Sequence, residues 1–467
     1  MAERAAEPVP ETGPPAGLRG SLGTAGIVFL VVAAASPLVA IGGALPVMMA
    51  IGNGAGVPVS YLVVTVVLLL FSVGYAGMSR HVAGGGAFFA YVTAGLGRVT
   101  GAGAVGLALL SYTAIQAAVY GLAGAALGGT VAAYGGPDVP WWLWSGVLLS
   151  VVAVLGFRSI DVGARVLSVL IVCEVGVLAV LIGAVLWRGG AEGPSAEPFT
   201  AGAFLSGSPG IGLMFAVACF IGFEATAIYG EEARDPGRTV PRATYAAVLL
   251  IGGFYTLVSW AVVVGVGADR ARTAALDDTD GLVFSVAHLY AGPGVAATME
   301  ILLLTSLFTA LLAFHNTIAR YLYAIGRGLL SPLAGTHARH GSPHVASLVQ
   351  SAAAAVVIAV FALAGADPVL QVFTWMSGMA TLGVLALMVL VSVAVVVFFA
   401  RTGVDTRWWH ARIAPVLGTV GLVGVAALAL SNFTTLIDGS MGLAALLATL
   451  LVAAFAAGAV PVAVRRE

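Results

Sequence analysis

Residues 209–231 read PGIGLMFAVACFIGFEATAIYGE, an apolar stretch interrupted near its centre by Phe220-Ile221-Gly222-Phe223-Glu224. A helix that crosses a bilayer needs about 20 apolar residues, and this stretch has that length. Glycine tolerates unwinding, and an acid in mid-span is costly in lipid. The pattern therefore predicts a span that is not one continuous helix. A second stretch behaves alike. Between Leu22 and Ile51, Ala35-Ser36-Pro37-Leu38 falls in mid-span, followed by Gly42, Gly43 and Pro46. Proline removes a backbone donor and clashes with the preceding turn. Either stretch alone fits the general abundance of Gly and Pro in membrane helices. The pair, in corresponding positions of two halves, points to a site built from inverted repeats.

The composition sets the class. The chain has 467 residues, 60% of them hydrophobic and 9% charged, with a mean hydropathy of +1.05. Soluble domains carry about 25% charged residues, so a soluble enzyme and a disordered protein are excluded. A nucleic-acid binder needs a basic field; here 20 basic residues, all Arg, meet 21 acidic ones. Cys173 and Cys219 lie in apolar runs and suggest neither a disulfide framework nor a zinc site. The class is an all-α polytopic membrane protein whose solvent is the lipid bilayer.

Apolar runs between polar, Gly or Pro breaks predict twelve segments, at about 22–51, 59–79, 86–131, 140–157, 162–187, 209–231, 241–267, 292–326, 345–365, 368–400, 411–431 and 440–463. The third is too long for one straight crossing, and Gly84 to Arg98 reads as an interfacial lead-in. Residues 1–20, rich in Pro, Glu and Ala, read as a disordered tail. The run after them is too long for a signal-peptide core of about 7–15 residues and reads as a retained span. With twelve spans, 17 Arg fall in one set of loops, and only Arg188, Arg270 and Arg272 fall in the other. Positive charge stays inside, so both termini are expected in the cytoplasm and residues 268–291 outside.

The stretch FIGFEATAIYGEEARDPGRTVPRA (Phe220 to Ala243) resembles the segment-6 signature of the amino acid–polyamine–organocation (APC) superfamily. Three other stretches agree: Ser79-Arg80 with GGGAFFAYVTAGLGR (Gly84 to Arg98), ARYLYAIGRGLLSP (Ala319 to Pro332) and Ser342-Pro343. The likeness covers about residues 18 to 400. It implies a 5+5 inverted-repeat fold, with broken helices 1 and 6. The first repeat would span 21–190 and the second 205–402, with segments 11 and 12 in 410–467 peripheral. It also implies an amino acid or related amine as substrate. The family usually has a Gly-x-Gly centre in segment 1, where this chain has Pro37-Leu38-Val39. Pro37 has no N–H, so a carboxylate cradle there would rely on Leu38, Val39 and Ala40.

On that resemblance the substrate residues are Ala35, Ser36, Leu38, Val39 and Ala40 from segment 1, and Ala218, Cys219, Phe220, Ile221, Gly222 and Phe223 from segment 6. A half-helix that starts after Pro37 presents free N–H groups to a carboxylate. One that ends near Ile221 presents carbonyls to an ammonium. Phe220 and Phe223 are expected to line the side-chain pocket; the alternative is that they face lipid. Glu224 belongs to the motif, either holding the broken helices or coupling transport. Glu174 falls where several family members carry a Lys in the place of a coupling sodium ion. It reads as a proton carrier or as a neutral core acid. Thr305, Ser306 and Thr309 are a possible sodium set, unless they hydrogen-bond to their own helix. Tyr112 and Gln116, at i and i+4, face the site or satisfy one another.

No Gly-x4-Gly-Lys-[Ser/Thr] loop occurs, and the scattered His suggest neither a metal site nor a membrane-embedded enzyme. No cofactor is expected. The leading expectation is a secondary transporter in the cell membrane, working by alternating access and either ion-coupled, with protons preferred to sodium, or exchanging substrates. A sensor or channel without coupled transport is the alternative.

Overall fold

A computed structural model of the chain describes residues 23–82, 88–158, 164–224, 226, 233–328, 333, 335, 343–437 and 440–464. The expected disordered tail at 1–20 lies outside the described residues. So do parts of the motifs that run through 83–87, 227–232 and 329–332.

The helices follow the apolar runs. They are α1 (Thr24–Ala35), α2 (Leu45–Ile51), α3 (Val57–Met78), α4 (Phe88–Leu96), α5 (Arg98–Ala133), α6 (Trp141–Phe157), α7 (Ala164–Trp187), α8 (Ala201–Phe204) and α9 (Pro209–Ala218). Then come α10 (Pro236–Val266), α11 (Ala271–Asp277), α12 (Leu282–Ala291), α13 (Pro293–Gly328), α14 (His344–Leu363), α15 (Thr374–Thr402), α16 (Ala414–Ser431), α17 (Phe433–Leu436) and α18 (Met441–Val464). In lipid every backbone polar group must be satisfied internally, which a helix achieves within one segment.

Among the described residues, 9 helices are long and apolar enough to cross a membrane. Three of the twelve expected segments are not among them. The first is divided between α1 and the helix 39–51, the fourth is the 17-residue α6, and the helix of the sixth stops at Ala218. The lead-in to the third segment is partly described. It contains a separate helix, α4, which turns into α5 at Gly97, whose φ of 94° favours glycine.

The long helix α5 organises the bundle, packing along α18, α15 and α13, while α3 packs along α10. Lipid offers no hydrophobic gain for helix association, so small residues that let backbones approach supply van der Waals contact instead. The contact of α5 with α18 shows this. A Cβ at Gly106 would collide with the Ala454 carbonyl, and one at Gly458 with the Ala102 carbonyl.

We predict that Gly106→Leu or Gly458→Leu destabilises the detergent-solubilised protein by about 1–3 kcal/mol through overpacking. Thermal melting would read this as a lowered midpoint. Gly146→Leu, where a Cβ meets nothing within 4 Å, should leave the midpoint unchanged. Equal melting of all three variants would mean that α18 does not dock on α5 as described.

Candidate functional site

The first interruption begins where α1 stops at Ala35. Ser36 has a φ of 46°, a left-handed conformation rare for a residue with a side chain. Beyond Pro37, Ala40 N donates to Ser36 O at 3.1 Å. The turns then widen into a π-helix, Val39–Ala44, which runs into α2. Interrupting a helix orphans carbonyls on one side and N–H groups on the other. Both are answered from distant helices. Tyr255 of α10 donates its hydroxyl to Ala35 O at 3.0 Å. Glu174 of α7, 2% exposed, accepts the Leu38 N–H at 3.3 Å and the Ser306 hydroxyl of α13 at 3.1 Å, both on Oε2.

The second interruption begins where α9 stops at Ala218 and the chain turns through residues 219–224. Gly222 has a φ of 111°, a conformation that needs glycine. Its N–H donates to Glu224 Oε2 at 2.8 Å, and the Tyr112 hydroxyl donates to Oε1 at 2.7 Å. The Tyr75 hydroxyl donates to the Glu224 carbonyl at 2.9 Å. Glu224, 4% exposed, thus closes the turn and ties it to α5. The Tyr61 hydroxyl lies 3.5 Å from Cys219 Sγ.

Between the two interruptions is a cavity of about 60 Å³. Ala35, Ser36, Val39 and Ala40 line it from one side and Ala218, Cys219 and Ile221 from the other. Ala44, Phe215 of α9, Ile115 and Val119 of α5, Ala310 and Phe314 of α13, Phe373, and Ser377 of α15 make up the rest of the described wall. Leu38, Phe220, Gly222 and Phe223 are not in that wall. Leu38 is fully buried. Phe220 packs edge-on to Tyr255, with ring centroids 6.3 Å apart, and Phe223 edge-on to Phe71 at 5.9 Å. The two phenylalanines expected to line the side-chain pocket thus lie outside the described wall of this cavity. Their rings face neither the cavity nor lipid, because an aromatic cluster offers large side chains a denser contact.

The carboxylate cradle also differs from expectation. Of its three N–H groups, that of Leu38 goes to Glu174 and that of Ala40 to Ser36 O, which leaves Val39. The possible sodium set does not converge. Thr305 and Thr309 donate to Leu302 O and Ser306 O of their own helix, at 2.8 and 2.9 Å, while Ser306 turns to Glu174. Gln116 donates to Leu311 O at 3.2 Å, so it and Tyr112 do not satisfy one another. His315 pairs through Nε2 with Ser347 Oγ at 2.8 Å. No group of three His, Cys, Asp or Glu among the described residues could hold a metal ion.

Tyr61, Tyr75 and Tyr255 were not singled out from the sequence. They sit in ordinary apolar runs, and the one signal they give is general: a buried tyrosine hydroxyl usually finds a partner.

These features define a multi-pass helical membrane protein with a cavity between two stretches that depart from helix. The profile of the amino acid permease family matches residues 26–456, and the chain belongs to that family, within the APC superfamily. It is similar to an uncharacterized transporter of Mycobacterium tuberculosis (strain ATCC 25618 / H37Rv), 29% identical over 229 residues, or 47% of this chain and 46% of the relative. It is also similar to the low-affinity putrescine importer PlaP of Escherichia coli (strain K12), 24% identical over 201 residues, or 42% of this chain and 44% of the relative. The chain thus spans less than half the length of the curated relatives it matches.

Tyr112→Phe removes a donor from the buried Glu224 Oε1, and Tyr255→Phe removes one from Ala35 O. Each should lower stability by about 1–3 kcal/mol, the cost of an unsatisfied buried group. Tyr134→Phe, at a residue 72% exposed, should not. Thermal unfolding of the three variants in one detergent checks this.

Proposed function

We propose that the chain is a secondary transporter of a small amino acid or amine across the cell membrane, working by alternating access, and not an enzyme. On this reading it has twelve spans in a 5+5 inverted repeat. Residues 21–190 and 205–402 form the repeats, with discontinuous helices 1 and 6, and 410–467 holds the two peripheral spans. Both termini are cytoplasmic. The observation that carries the reading is the cavity between the two interruptions. Backbone that departs from helix within a membrane is tolerated where it is buried in protein or lines a cavity, and such a cavity is where transporters of this architecture hold their substrates. Family membership and the two transporter relatives support it.

A proton is the favoured coupling ion, and Glu174 the favoured carrier. Its carboxyl joins α7 to the interruption in segment 1 and to α13, so a change in its protonation would alter contacts among three helices at once. The hydroxyls of Thr305 and Thr309 are engaged within their own helix, which gives sodium less support.

The test is uptake into proteoliposomes with a panel of amino acids and amines, with and without ionophores. We expect accumulation of at least one member under an imposed pH gradient, abolished by a protonophore. Glu174→Gln should still exchange substrate but no longer accumulate it. Gradient-driven accumulation by that variant would remove Glu174 as the proton carrier, and no flux for any compound would sink the transporter reading.

Topology gives a second check. Cysteines placed at Asp277 and Asp367 should react with an impermeant thiol reagent added to intact cells, and one at Arg407 should not. Labelling at Arg407 would overturn the twelve-span arrangement.

A further inference from the structure

The interruption in segment 1 is where a substrate carboxylate would be expected to meet free N–H groups. In this chain that position is already occupied by a carboxyl of the protein. Glu174 Oε2 lies 3.3 Å from Leu38 N, beside Val39, which lines the cavity. Pro37 has no N–H, and the Ala40 N–H is held by Ser36 O. Val39 alone of the cradle remains, and the binding of a carboxylate at a helix start uses several converging N–H groups. A second carboxylate brought beside Glu174 would also meet a like group, and two carboxylates sharing one site disfavour each other's charged forms. Nothing among the described residues of the cavity wall offsets this, because they include no Arg, Lys or His.

The same wall suits the other end of a zwitterion. An ammonium can be met by the Ala218 carbonyl, which accepts the Ile221 N–H and keeps a second lone pair, and by the Ser377 hydroxyl, while the rest of the described wall is Ser36, Cys219, Ala, Val, Ile and Phe. At about 60 Å³ the cavity is well below the ~150 Å³ that takes up benzene, so the body of the ligand is short. A larger cavity of about 520 Å³ lies next along the chain, at Gly42 and Gly43; its described lining holds three acids, Asp278, Asp280 and Glu300, against one histidine, His288, and no Arg. Burial, with Asp367 and Asp278 nearby, pushes the Asp280 carboxyl above the usual range. That second cavity would favour a cation and disfavour an anion.

From the filled cradle we infer that the substrate is a short-chain amine with no α-carboxylate, the Glu174 carboxyl standing where an amino acid would place its own. This rests on the transporter reading of the same cavity and narrows it from amino acids and amines to amines alone.

The experiment compares matched pairs that differ by the α-carboxylate, ethylamine with alanine and isobutylamine with valine. Each is titrated against the purified full-length protein, with thermal stabilisation as the readout, since a ligand that binds the folded state raises its melting midpoint. In at least one pair we expect the amine to stabilise at concentrations at least tenfold below its partner. In Glu174→Gln we expect that ratio to fall at least threefold, because the amide keeps the hydrogen-bonding shape but not the charge. A packing role alone would lower the melting midpoint and leave the ratio unchanged. Equal or better stabilisation by the amino acids, stabilisation by neither member of either pair, or a ratio unmoved in the variant would overturn the assignment. Flux of the same compounds into proteoliposomes is scored separately. Selective binding of the amines without flux would refute transport while leaving the amine assignment standing.

Discussion

A backbone N–H released inside a membrane has no water to turn to, and its desolvation goes uncompensated unless the protein supplies an acceptor. The arrangement around the cavity follows from how that constraint is met at Leu38. The acceptor is Glu174 Oε2, from a helix 136 residues further along the chain, and Ser306 of α13 donates to the same oxygen. One atom therefore fixes the interruption of segment 1 against two other helices. On the other side of the break, Ala35 O receives the Tyr255 hydroxyl from α10. The interruption is thus bonded on both sides, and Ser36 holds its left-handed conformation within that frame.

The second interruption meets the constraint locally. Glu224 folds back onto the Gly222 N–H two residues before it, and Tyr112 and Tyr75 add bonds from α5 and α3. The two acids therefore act differently. Glu224 shapes a turn within its own segment, as caps and turn-forming side chains do elsewhere. Glu174 reaches across the bundle, and a change at its carboxyl would be felt by several helices. This asymmetry is why the coupling proposal rests on Glu174 and not on Glu224, although both are buried acids.

The bundle around these sites is held by close approach more than by polar contact. Gly106 and Gly458 meet opposing carbonyls, and Gly95 meets the backbone of Ala394. Two ion pairs, Arg238 with Asp235 and Arg407 with Asp405, are on loops or helix ends. The first, 3.9 Å apart with both side chains more than half exposed, contributes little to stability. A scaffold that rests on small-residue packing can keep its charge for the site, and buried acids next to a cavity are then functional candidates by their cost alone.

Much of this was legible in the sequence, for a physical reason: a bilayer imposes one local rule, a long apolar helix, that each segment obeys by itself. Hence the apolar runs at 59–79, 345–365 and 440–463 foreshadow α3, α14 and α18 to within a few residues. The positive φ values at Ser36 and Gly222 fall in the stretches whose Gly and Pro content drew notice, because backbone conformation is constrained by the residue that adopts it. The intramembrane acids stood out by their cost. What was not legible is which distant group answers each broken hydrogen bond. Nothing local to Leu38 names Glu174, and nothing local to Ala35 names Tyr255. Nor does the order of residues in the turn reveal that Phe220 and Phe223 pack into aromatic clusters while Cys219 and Ile221 face the cavity. Those choices depend on what the neighbouring helices present, and only the packed bundle decides them.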